Sequence, residues 1–436
     1  MKKRARRLPA DDPHNGWVES LESWPSYPRL EADRRVDCAV VGGGFTGLAI
    51  ARRLHEIEPN WSIVVLDAQR LGQGTSARSS GFVVDLTDAA ALMRPHQRDA
   101  YVRVARSGIE YLRDLVTEEG LDCAWDERGW IRAAASDPGQ SYLDRLPAIY
   151  DELRMAYEPL DREAMAAITG SHFYRAGIRV TGYPLVHSGM LLRGLLDQLP
   201  DDIEVFERSP VQRITSGTPG RLETEHGSVE ADRLFLATNG YSPSLGIHSQ
   251  RVFPLYTFGS LTRPLTLEEQ ESLGGEQQWG ILAMDPMGST VRRTHDQRIL
   301  IRNWVYYNPK LEVGEVKRAE ILDHHRQAFE ARFPDLRSVD VEYTWAGLMG
   351  SAHNSMITFG QLGQNLWSTA GFTAAGIAMG HAAGRLLADL GAGRENPLLD
   401  DALGLPKATW MPPEPFRSLG GGFLAERMNR KAGPWL

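Results

Sequence analysis

A short apolar run, Val36-Asp37-Cys38-Ala39-Val40-Val41, passes directly into Gly42-Gly43-Gly44-Phe45-Thr46-Gly47, and this junction constrains the fold more than any other stretch. Beyond it Leu48, Ala51, Leu54 and Ile57 recur at helical spacing until Pro59. Ser62-Ile63-Val64-Val65-Leu66-Asp67 reads as a second strand, so residues 36–67 make one β-α-β unit. Gly42, Gly44 and Gly47 stand in the Gly-x-Gly-x-x-Gly pattern. Gly42 permits a tight turn, Gly44 lets backbone approach a pyrophosphate, and Gly47 lets helix and strand pack closely. The helix beginning at Phe45 and Thr46 turns roughly half a positive charge toward the phosphates. Asp67 ends the second strand, where its carboxylate can accept two ribose hydroxyls and would repel a 2′-phosphate. The expected ligand is FAD or NAD and not NADP.

The rest of the composition excludes several classes. The chain has 436 residues, enough for two or three domains. Lys+Arg 48 against Asp+Glu 56 gives a net charge of −8, which argues against a general nucleic-acid binder. Two cysteines, Cys38 and Cys123, make neither a disulfide framework nor a four-cysteine zinc site. Adjacent His324 and His325 do not share a helix face, so no metal site is expected. Met1 to Arg7 is basic but no apolar run follows it, so it reads as a frayed terminus and not a secretory signal. No stretch has the 18 or so uncharged apolar residues of a membrane span. A cytoplasmic protein is expected, and a homo-oligomer stays open.

FAD is favoured over NAD by Gly72-Gln73-Gly74-Thr75-Ser76-Ala77-Arg78-Ser79-Ser80-Gly81, small residues suited to a second length of phosphate and ribityl chain. This stretch resembles the G-A-S-G-R-N-G-G segment of the D-amino acid oxidase superfamily of FAD-dependent amine and amino-acid oxidoreductases. Ser76, Arg78 and Gly81 match it; Ala77 stands where Gly is usual, and Ser79-Ser80 where Asn-Gly is usual. The resemblance continues through Tyr183 to Ser188, Pro210 to Ile214, Leu234 to Gly240, Trp345-Ala346-Gly347, Phe359-Gly360 and Ala370 to Ile377. It implies non-covalent FAD, held at Gly42, Gly44, Phe45, Thr46, Gly47, Asp67 and Ala68, and by Gly74, Thr75, Ser76, Arg78, Ser79, Ser80 and Gly81. Val211 would contact the adenine side, and Gly371, Phe372, Thr373 and Ala374 the flavin, with a helix running from Thr373 to Leu390. Gly376, Gly380 and Gly384 would let that helix pack closely on a sheet.

The implied fold is α/β, a discontinuous Rossmann-like FAD-binding domain with an inserted α+β substrate domain carrying an antiparallel sheet. The expected division is an extended arm (1–35), the FAD domain (36–100, 172–240 and 340–395), the substrate domain (101–171 and 241–339) and a tail (396–436). Pro147 and Pro159 are expected to break helical pieces across 142–169.

The implied reaction oxidises the C–N bond of an amine or amino acid, with oxygen or another acceptor taking the electrons onward. An ammonium with pKa near 10.4 must first lose its proton, which at pH 7 costs ~4 kcal/mol. Burial or a nearby cation supplies this, so no strong base is required. The superfamily pattern W-x-G-L-R-P places an Arg on the substrate carboxylate; here it reads Trp345-Ala346-Gly347-Leu348-Met349-Gly350, and the Arg is absent. Arg302, late in a strand where relatives usually carry Gly, is the candidate to bind an acid group, with Arg292 second. His187, Tyr256, His353 and Trp304 are candidate pocket residues. A flavin-dependent hydroxylase and an FAD-binding subunit of a multi-component dehydrogenase are the competing readings.

Overall fold

The computed structural model describes residues 1–431. Its strands form two sheets. The first has nine strands, and its centre is parallel: Ser228–Leu236 beside Arg34–Val41, then Ile63–Leu66, then Ile203–Phe206. Ala39, Val40, Val64 and Val65 are fully buried, as a sheet covered on both faces requires. One face is covered by the helices Phe45–Ile57, Pro95–Glu118 and Ala378–Ala392. The antiparallel strands Arg213–Thr215 and Gly220–Glu223 extend the sheet.

The second sheet has eight strands, in the order Val341–Ser351, Phe253–Thr262, Ile299–Tyr307, Thr290–Arg293, Trp279–Ala283, Trp130–Ala134, Ala176–Val180 and Tyr157–Leu160. All pairs are antiparallel except Trp279–Ala283 with Trp130–Ala134. The helix Glu315–Arg332 backs this sheet, burying Ile321, His325 and Phe329.

Several local expectations are corrected. The strands Ala176–Val180 and Val341–Ser351 pair in the second sheet, so the ranges 172–240 and 340–395 do not belong wholly to the first. Pro147 and Pro159 break no helix. Pro147 lies in the first turn of the helix Leu146–Glu152, where its missing N–H is harmless, and Pro159 lies in the edge strand Tyr157–Leu160. Lys2–Arg4 is not frayed but an edge strand, antiparallel to Arg213–Thr215. The last sheet-packed helix starts at Ala378, not Thr373, because Gly371 and Thr373 take φ of +89° and +50° and hold the chain in a loop. Of the three glycines expected to meet a sheet, Gly376 precedes the helix and meets nothing, while Gly380 and Gly384 face the helix Phe45–Ile57: a Cβ on Gly384 would lie 2.5 Å from the Thr46 carbonyl oxygen. The tail contributes the helix Phe416–Lys431, where Asn429 accepts from the Val305 N–H (3.0 Å) and donates to the Val305 carbonyl (2.7 Å).

Candidate functional site

One cavity of about 660 Å³ runs between the two sheets. Its first wall is the glycine turn. Gly42 has φ of +109°, which excludes most side chains, and a Cβ on Gly47 would stand 1.7 Å from the Gly42 carbonyl oxygen. Gly47 is therefore buried beneath the turn, while Gly42, Gly43, Gly44, Phe45 and Thr46 line the cavity. The Phe45 N–H donates to Ser76 Oγ at 3.0 Å, tying the helix start to the small-residue loop.

Asp67 lies at the end of its strand. Its Oδ2 accepts from the Gly43 N–H (2.7 Å) and its Oδ1 from the Gln69 N–H (2.9 Å). Burial pushes its carboxyl up to about 6, against the pull of those two N–H groups; Asp11 and Glu207 push the same way as burial. Ala68, Gly74, Thr75, Ser76, Ser79, Ser80, Gly81 and Val211 continue the wall as expected.

Arg78 is on the wall too, but its donors belong to the protein. Nε and Nη2 reach the Gln73 carbonyl and side chain (both 2.8 Å), and Nη1 the carbonyls of His14 (2.9 Å) and Ala346 (3.1 Å). It also pairs with Asp12, which pairs in turn with Arg318 at 2.7 Å. Arg78 fastens the arm to the loop and the second sheet instead of offering a free guanidinium to a phosphate.

The opposite wall is Phe372, Thr373, Ala374, Gly376 and Ile377. Gly371 is not on it; its N–H donates to Asn239 Oδ1 at 3.0 Å and sets the turn. The Thr373 N–H is taken by the Gly350 carbonyl at 3.0 Å, so it is not a free helix-terminal donor.

The second sheet forms the roof. Strand parity puts Thr257, Gly347 and Met349 on the cavity and turns Tyr256, Ala346 and Leu348 away toward Ile321. Tyr256 is thus a core residue. His187 is also off the cavity: its Nδ1 accepts from the Met190 N–H at 3.1 Å, and its ring packs 4.5 Å from Trp17. Burial, with the neighbouring His295 and Arg292, holds its pKa down at about 3, so it is neutral. His353 is exposed and also off the cavity wall. Arg292 lies behind the loop, where Nη1 donates to the carbonyls of Val186 and Ser80. Trp304 is on the wall, with φ of +63° and its ring stacked 4.3 Å from His324. Arg302 is also on the wall, donating from Nη2 to Thr290 Oγ1 at 2.7 Å; burial holds its pKa down at about 10.

Other wall residues carry no sequence signal of their own. Leu8 and Pro9 of the arm, the Met284–Gly288 turn and Thr290 reach the cavity only through tertiary packing. Ala237, Thr238 and Asn239 belong to the Leu234–Gly240 resemblance and were legible only as part of it.

These surfaces suit a long dinucleotide. The turn and small-residue loop present mostly backbone, a buried carboxylate stands at the adenosine end, and no cysteine lines the wall. The comparisons agree. The chain is 27% identical over 394 residues to gamma-glutamylputrescine oxidoreductase of Escherichia coli (strain K12), covering 86% of this chain and 88% of that protein. It is 24% identical over 405 residues to the probable oxidoreductase OrdL of Rhizobium meliloti (strain 1021), covering 88% and 90%. The fold is that of glycine oxidase from Geobacillus kaustophilus, with a TM-score of 0.70 at 19% identity over 84% of this chain and 96% of the other. The sequence model described as FAD dependent oxidoreductase matches residues 37–390, a span that holds the glycine turn, the small-residue loop, the roof strands and the 371–377 loop. That match takes in most of the chain and every wall of the cavity except the arm, and the chain therefore belongs to the D-amino acid oxidase (DAO) family of FAD-dependent oxidoreductases.

Proposed function

We propose that the chain oxidises the C–N bond of an amine or amino acid. The observation that carries the reading is the roof of the cavity, where Leu282, Trp304 and Met349 set apolar surface beside the guanidinium of Arg302. Such a roof suits a substrate that has only to lose water and a proton. Met349, Leu282 and Trp304 exclude water from an entering ammonium, and the Arg302 charge acts in the same direction. Both favour the neutral amine, whose carbon can release hydrogen with its electron pair. Bound FAD supplies the two-electron acceptor. The substrate is left as an imine with loss of its nitrogen proton, and water then splits it to a carbonyl compound and ammonia or an amine.

The remaining walls supply position. The glycine turn and Asp67 hold the adenosine diphosphate half, and the loop 74–81 with Phe372 to Ala374 frames the ring. The two sheets correspond to an FAD unit and a substrate unit, with the strands 176–180 and 341–351 assigned to the latter. Among the described residues no helix is long and apolar enough to cross a membrane. FAD is bound non-covalently in this reading, and the enzyme is assigned to the cytoplasm as a separate proposal.

The test is anaerobic mixing of the FAD-loaded protein with a panel of amines and amino acids, gamma-glutamyl amines included because one relative is named for such a substrate. Loss of the visible flavin band, with a carbonyl product, is the expected result. A flavin that only NADH or NADPH reduces, and that then hydroxylates an aromatic compound, would overturn the reading. Peroxide on re-aeration marks oxygen as the acceptor.

A further inference from the structure

We infer that the substrate carries an acidic group set apart from the C–N bond it loses, and that Arg302 holds that group. The inference rests on the amine-oxidation reading and adds the substrate class.

A guanidinium enclosed by protein is retained only where an anion or several acceptors offset its lost hydration. Elsewhere in this chain that holds. Arg98 pairs with Glu152, Arg132 with Asp88, Arg298 with Asp296 and Glu342, and Arg318 with Asp12. Buried Arg292 and Arg293 are met by backbone carbonyls instead. Arg302 has one neutral partner among the described residues, the Thr290 hydroxyl, and no carboxylate within 4.0 Å. Arg302 itself lines the cavity, together with Thr290, Trp304 and Met349. Thr290 fixes one edge of the fork, leaving a planar, pre-oriented pair of N–H groups of the kind that binds a carboxylate at two points.

Register then separates this anchor from the expected one. In the superfamily pattern the substrate carboxylate is met by an arginine at the position of Met349, and here that wall is apolar. Met349 pairs with Leu255, which pairs with Tyr307, whereas Trp345 pairs with Gly259, which pairs with Arg302. Arg302 is thus two strands across and four residues along from position 349. At ~4.8 Å between strands and ~3.4 Å per residue, the two backbone positions lie roughly 16 Å apart. An acid held at Arg302 is not an α-carboxylate held at position 349. The fitting class is an amine bearing a carboxylate at the far end of a spacer of several atoms.

The experiment uses the FAD-loaded enzyme and matched primary amines: 6-aminohexanoate against hexylamine, 4-aminobutyrate against butylamine, and alanine as the α-amino acid. Anaerobic flavin reduction gives the half-saturating concentration of each. The acid-bearing member of a pair should saturate about tenfold or more below its neutral partner, and alanine should be the weakest acid. In Arg302→Met the loss on 6-aminohexanoate should exceed that on hexylamine by about thirtyfold, with partial recovery in Arg302→Lys. If Arg302→Met does not retain FAD, wild-type enzyme decides: hexanoate, which has no amine, should compete with 6-aminohexanoate. Equal saturation within pairs, preference for alanine, or absence of competition overturns the inference while leaving amine oxidation standing. Failure of every amine to reduce the flavin overturns the underlying reading instead.

Discussion

Asp67 holds a half-buried carboxylate on the cavity wall, and that should make cofactor binding pH-dependent. Burial raises its pKa to about 6 in the FAD-free protein, above the ~3.9 of an exposed aspartate. Between those values the folded, FAD-free chain holds a proton that the unfolded chain has lost, so this group adds stability as pH falls from 6 toward 4. Ribose hydroxyls donate to the ionised form, so binding lowers the pKa and expels that proton. FAD affinity should therefore weaken as pH drops through 6, by at most about tenfold per pH unit. Asp67→Asn should bind more weakly at pH 8 and lose the pH dependence. Fluorescence titration from pH 5 to 8 measures both; a flat wild-type profile would remove Asp67 from the cradle. The place of Asp67 on the cavity wall was legible because one spacing, glycine turn to strand end, fixes it. Tyr256 and His187 were misread for a contrasting reason. Which face of a roof strand meets a cavity depends on the parity of the whole sheet, and a histidine that caps the helix Ser188–Asp197 has the same local sequence as one facing substrate.

Three helices meet under the glycine turn at distances that only missing side chains allow. A Cβ on Gly108 would fall 2.1 Å from the Ala378 carbonyl oxygen, and one on Gly384 would meet Thr46 O at 2.5 Å and Ala49 Cβ at 3.0 Å. Gly384→Val should push the helix Ala378–Ala392 off the helix Phe45–Ile57, costing about 1–3 kcal/mol. Because the displaced helix follows directly on the cavity-lining residues Phe372 to Ile377, FAD retention should fall together with Tm. Gly404→Ala is the control, since its Cβ would meet nothing within 4 Å. Thermal denaturation with and without added FAD separates the two effects; an unchanged Tm in Gly384→Val would mean the helices do not approach this closely. The small-residue spacing was visible in the sequence, but its partner was not. Four-residue periodicity shows that a face is bare and says nothing about what covers it. The start of this helix was misplaced for a related reason: the left-handed Thr373 is held by the Gly350 carbonyl, more than twenty residues away in the chain.

At the scale of the molecule, the first β-α-β unit could be read residue by residue because its turn, its helix and the pairing of its two strands are local in the chain. The second sheet could not, since its eight strands are scattered between residues 130 and 351. The arm was legible only as a composition, yet it is pinned at several points. Lys2–Arg4 pairs with Arg213–Thr215, Gln69 and Arg70 bond to Ala10 and Asp11, and Asp12 sits between Arg78 and Arg318. Between these fastenings Leu8 and Pro9 border the cavity with Ala68 and Val211, at the end proposed for the adenosine. A nucleotide seated there leaves only after the first dozen residues peel back, so its escape is timed by a local unzipping and not by its own affinity. Asp12→Ala, which cuts two of the fastenings at once, should speed FAD release into a trap of excess apoprotein of an FAD-binding enzyme several-fold more than it weakens equilibrium binding. Equal changes in rate and affinity would show that the arm is a spectator, and that the enzyme gives up its coenzyme through some other door.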